Sequence, residues 1–155
     1  MFRSPVAVVM VLTLAAGAAR ADELCDFVKD VAASSPGDIK GEILEENTTA
    51  ADFTIYATAL HAPLEGFRPC VLEQRTKNDG ELSQLLVCHH AEADEALPLP
   101  DERFEAIGAR LDGCTGKKGV GFGGRLMWTR VVAGLKRIDL VSKKRGARLL
   151  FVFAQ

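Results

Sequence analysis

The sequence predicts an α+β fold: a mainly antiparallel sheet of five to six strands, two helices packed on one side of it, and two disulfides stapling the whole. Three observations carry that expectation. Two segments place apolar residues at helical three-and-four spacing, several others alternate apolar and polar as strands do, and the four cysteines form an even set with no C-x-x-C pair. The 155 residues are 48 % hydrophobic and 26 % charged with a formal charge of −2, which suits a single globular domain and excludes a disordered, collagen-like or multi-domain chain.

The chain opens with Arg3, an apolar run over 6–19, and Ala19-Arg20-Ala21 before the acidic Asp22-Glu23. A cationic start, a short apolar core and small residues at −3 and −1 make 1–21 a cleaved secretory signal peptide, too short to span a bilayer. The expected mature domain is 22–155, exported to the periplasm or beyond the cell, with no membrane span of its own. In an oxidising compartment the four cysteines favour two disulfides over metal or redox chemistry. Cys25 stands too far from the cleavage point for a lipid anchor.

In 22–34, Leu24, Phe27, Val28, Val31 and Ala32 share one helical face, and Pro36-Gly37 stop it. Ile43-Leu44 make a short strand ahead of a polar turn that contains the sequon Asn47-Thr48-Thr49. Phe53, Ile55 and Ala57 alternate as a second strand, and 61–69, with two prolines and a glycine, reads as a loop. Segments 70–76 and 82–88 flank Asn78-Asp79-Gly80, a three-residue hairpin connection with glycine where a left-handed conformation is needed. If Lys77 faces Glu81, then Leu72 faces Leu86, Gln74 faces Gln84, and Cys70 faces Cys88 at a non-hydrogen-bonded site suited to a bridge.

An acidic loop over 92–98 precedes a second helix over 99–113, whose Phe104, Ile107, Leu111 and Cys114 lie on one side. Cys25 and Cys114 remain for each other, joining the two helices, although spacing alone leaves the other two connectivities open. Strands follow at 122–132, 136–142 and 148–154. Pairing Val132 with Lys136 puts Leu126, Trp128, Ile138 and Leu140 on one face and sets Arg125 against Lys143 and Val131 against Arg137 on the other. The run Leu149-Leu150-Phe151-Val152-Phe153 is apolar in both phases and predicts an interior strand covered above and below.

Charge is the unusual feature. Residues 22–114 hold 7 basic and 20 acidic side chains, net −13, whereas 115–155 hold 10 basic and 1 acidic, net +9. The C-terminal strands therefore predict a basic face with an apolar middle, made by Arg125, Arg137, Lys143, Lys144, Arg145 and Arg148, either covered by the acidic half or open to an anionic partner. The expected function is a non-enzymatic exported binding module that offers this face to an acidic protein or an anionic envelope component, with no cofactor.

The alternative is a metal-dependent or hydrolytic envelope enzyme using His89, His90 and the acidic Glu92, Asp94 and Glu95, although neighbouring histidines on a strand point to opposite faces. A stability or assembly role with no dedicated ligand is a third class. Gly119-Val120-Gly121-Phe122-Gly123-Gly124 matches a dinucleotide fingerprint in letters only, since it follows a helix and precedes a strand; it reads as a strand entry or bulge. One Trp and one Tyr, with a negative mature charge, argue against nucleic acid.

Overall fold

The computed structural model describes residues 15–47, 53–92 and 95–155. Most of the predicted signal peptide, Thr48 and Thr49 of the sequon, and Asp94 of the acidic loop lie outside the described residues. In chain order the elements are α1 (Ala15–Ala33), α2 (Pro36–Ile39), β1 (Ile43–Asn47), β2 (Phe53–Ala57), β3 (Val71–Thr76), β4 (Leu82–Glu92), β5 (Glu95–Ala96), α3 (Asp101–Thr115), β6 (Arg125–Thr129), β7 (Leu135–Lys143) and β8 (Gly146–Phe153). No helix among the described residues is long and apolar enough to cross a membrane.

The fold is α+β with an antiparallel sheet of eight strands, in the order β1-β2-β3-β4-β8-β7-β6 with β5 beside β4. The expected five to six strands and two helices undercount it. The first helix ends at Ala33, ahead of the expected stop at Pro36-Gly37, and Pro36 then opens the additional single turn α2, because proline suits a first helical position. The acidic loop contains the two-residue β5, too short for any periodicity to reveal. The β8 strand lies between β7 and β4, so the C-terminal strand joins the β1–β4 part of the sheet to the β6–β7 part.

The β3–β4 hairpin has the expected register: Leu72 pairs with Leu86 and Gln74 with Gln84, closed by the Lys77 N–H donating to Glu81 at 2.8 Å. Cys70 and Cys88 are disulfide-bonded with Cα atoms 4.2 Å apart, and Cys25 is bonded to Cys114 across α1 and α3. Cys70 and Cys88 belong to the buried core, and Cys25 and Cys114 are partly buried at its margin.

Leu72, Leu86, Leu149, Phe151, Ile138, Leu140 and Trp128 form one cluster with Leu24, Phe27, Val28 and Val31 of α1 and Ile107 and Leu111 of α3. Phe27 meets Phe151 edge-on at 5.7 Å between centroids. Both long helices lie on that side of the sheet. Each fully buried apolar side chain there contributes roughly 1.5–3 kcal/mol.

Two expectations are corrected. β6 and β7 pair two residues out from the predicted register: Trp128 faces Ile138, Leu126 faces Leu140 and Arg125 faces Val141, not Lys143, while Val131 falls outside the ladder. A slip of two keeps every side chain on its face, which the alternation determines. The expected Val132–Lys136 pair does not form because 130–134 make the turn, with Arg130 at φ 52 and Gly134 at φ 92. β8 is interior but not covered on both sides: Leu149, Phe151 and Phe153 are buried, whereas Leu150 and Val152 are only half-buried on the face opposite the helices.

Candidate functional site

The helix-free face of the sheet is where the predicted basic residues sit. Alternation along β8 sends Arg148 to this face between Val141 on β7 and His89 on β4, and Arg125 extends the row on β6. The β7–β8 hairpin closes at the Lys143–Gly146 pair, leaving Lys144 and Arg145 as its two-residue turn. Gly146, at φ 125, is needed there twice over. A side chain would be strained at that backbone angle, and its Cβ would stand 2.8 Å from Ala96 of β5.

The outcome is a cleft of about 550 Å³ walled by Lys143, Lys144, Arg145 and Arg148, with Val141 and Ala147 contributing apolar surface and His89 at its side. The four cations are exposed, and no carboxylate of the described residues lines the cleft. Convergent cations with few competing anions raise the local concentration of negative groups. Burial holds the His89 imidazole below its ordinary pKa; the field of Glu73 opposes the shift and that of Arg148 adds to it.

Arg125 and Arg137 are placed differently. Both reach the carboxylate of Asp139, Arg137 Nε donating at 2.9 Å and Arg125 Nη2 at 3.2 Å to the same Oδ2. Asp139 is only 2 % exposed although it faces away from the helices, and its Oδ1 has no protein partner. The predicted basic face thus divides. Four of its six residues share one cleft, while the other two share a single carboxylate a few residues away, which offsets half of their charge. Among the described residues the acidic half does not supply that compensation; Asp139, the single carboxylic side chain of 115–155, does. Sequence reasoning missed Asp139 as a clamp, although one acid among ten cations was a visible signal.

The histidines do not share a site. His89 faces the cleft, while His90 is 9 % exposed on the helix side. There its Nδ1 donates to the Leu97 carbonyl at 2.8 Å, Arg103 approaches Nε2 at 3.4 Å, and the Phe67 ring lies 5.4 Å away between centroids. Arg103 also donates to the Glu65 carbonyl. His90 therefore ties the loop before β3 and the chain after β5 to the sheet. His89 belongs to the cleft, a role its sequence neighbourhood concealed behind the acidic residues that follow it.

All four cysteines are in bridges, so none is a free nucleophile. Two intramolecular disulfides suit a chain that folds in an oxidising environment. In comparisons with known proteins the chain matches no family model, no curated protein and no solved structure.

Proposed function

We propose that this protein is an exported, non-enzymatic binding module, periplasmic or secreted, whose basic C-terminal β-region takes an anionic group of its partner, an acidic protein or an anionic envelope component. The observation that carries the reading is the cleft at the β7–β8 turn, where Lys143, Lys144, Arg145 and Arg148 converge without a lining carboxylate. Arg125 and Arg137 add positive charge from beside it on the same face of the sheet, where both are bound to Asp139. The disulfides support the assignment to an oxidising compartment.

The test is retention of the purified protein on an immobilised sulfated polyanion, together with capture from an envelope fraction, at about 0.05 M and about 0.5 M salt. The native protein is retained at the lower salt and released at the higher. Lys144→Glu combined with Arg145→Glu passes through at both, with its unfolding midpoint unchanged. Bound anion offsets the field of Arg148, so the His89 pKa rises toward its ordinary value, read by NMR titration. Retention indifferent to salt and to the double reversal overturns the reading.

A further inference from the structure

The two outer edges of the sheet carry the most exposed large apolar side chains among the described residues, and the charged residues that flank those side chains in sequence are glutamates at one edge and lysines at the other. At one edge, β1 leaves Ile43 55 % and Leu44 54 % exposed. Exposed Glu42, Glu45 and Glu46 surround them. At the other, the segment after α3 runs along β6, where Val120 and Met127 exchange two backbone hydrogen bonds of 2.9 Å. Here Val120 is 71 % and Phe122 93 % exposed, beside exposed Lys117 and Lys118.

This second edge is built, not slack. Asp112 Oδ1 accepts from the Gly119 N–H at 2.7 Å and from Trp128 Nε1 at 2.9 Å, pinning the start of the segment to α3 and the core. A Cβ at Gly119 would stand 2.6 Å from the Trp128 ring, and one at Gly124 would stand 2.2 Å from the Ser142 carbonyl oxygen. Glycine lets the backbone press against the sheet at both places, and the residues between them are left facing water. Holding a phenylalanine in solvent on a braced segment is unfavourable for an isolated molecule and favourable for one that presents it to a surface.

We propose that the two edges bind each other in successive copies of this chain: the Val120–Phe122 segment of one molecule seats on the Ile43–Leu44 edge of the next. Charge selects this pairing. Two β1 edges would set glutamates against glutamates and two Lys117–Phe122 edges lysines against lysines, whereas unlike edges attract. Because the contacting surfaces differ, the association is heterologous and adds copies one after another instead of stopping at a symmetric pair. This goes beyond the cleft reading and is independent of it, since none of these residues lines the cleft.

Sedimentation velocity on the native protein across a concentration series tests it. At low salt the mass rises past dimer with concentration, and at about 0.5 M salt it returns to monomer. Phe122→Ser weakens self-association by roughly tenfold or more, as loss of an aromatic anchor does. Ile43→Ser with Leu44→Ser does the same at the other edge, and Lys117→Glu with Lys118→Glu abolishes association by repulsion. The first two variants, each near monomeric, form a one-to-one complex when mixed, because each keeps the edge the other has lost. Circular dichroism reports that each variant is folded. A native protein that stays monomeric, growth that ends at dimer, or mixing that restores nothing overturns the proposal.

Discussion

The two faces of this sheet are made from the same strands by opposite means. On the helix side, buried Leu72, Leu86, Leu149, Phe151, Ile138 and Trp128 pack beneath α1 and α3, and both disulfides border that layer. On the other side Leu85, Leu150 and Val152 are half-buried, and the most enclosed polar group is Asp139 held by two arginines. The core on the helix side is apolar, whereas the open side sets the buried Val87 and Val141 beside a charge cluster. The difference teaches where function has room: substitutions on the helix side act through stability, while those at the rim of the open side fall, on the proposed reading, on the binding cleft.

The disulfide joining the helices offers the largest break in that contrast. Removing it as Cys25→Ser with Cys114→Ser frees a loop of 89 residues. On a chain-entropy account that costs roughly 4–5 kcal/mol, against about 3 kcal/mol for the 18-residue separation of Cys70 and Cys88. Urea midpoints of the two double variants give the order directly.

Neighbours on β8 sharpen the contrast within a single dipeptide. Leu149 is fully buried beneath the helices and Leu150 faces the open side. Truncation to alanine costs about 3 kcal/mol at the first and about 1 kcal/mol at the second. Equal losses would mean that the open face is covered in the native protein.

Asp139→Ala is next, at about 2 kcal/mol, because it leaves Arg125 and Arg137 without their shared acceptor while both still reach water. Asp139→Asn, which keeps the shape and one acceptor, recovers part of that loss in the same urea titration.

The smallest effect is a pH dependence. His89 is buried enough to lower its pKa below the ordinary 6.5. The unfolded chain therefore takes up a proton at a higher pH than the native one does. The stability this group contributes is fully present above the unfolded pKa and declines as pH falls from there toward the folded value. His89→Gln removes that part of the decline, which sets in as pH falls through the ordinary imidazole range, measured as the change in urea midpoint.

Much of this was legible in residue order where local chemistry decides the outcome. The hairpin around Asn78-Asp79-Gly80 determined its own register, and with it the Cys70–Cys88 bridge, because a three-residue turn leaves little freedom. The face assignment of β6 and β7 was equally legible, since a two-residue period survives a shift of two. Their pairing was not, because it depends on how Arg130–Gly134 turn, and Arg130 adopts a backbone conformation its side chain disfavours. The cleft was partly legible: Lys143, Lys144, Arg145 and Arg148 are close in sequence, whereas His89 arrives from a strand more than fifty residues earlier. The separation of Arg125 and Arg137 from that group required knowing which side chains reach Asp139, a fact of three dimensions.

The bridges are nested, Cys70–Cys88 lying inside Cys25–Cys114. A protease that cuts the backbone once anywhere between Cys25 and Cys114 therefore leaves a single covalent molecule, its halves held by sulfur until a reductant arrives. Strands β6 to β8, which follow the last cysteine, have no such insurance: after a cut between Cys114 and β6, only core packing and the pairing of β8 with β4 hold the segment that carries the cations.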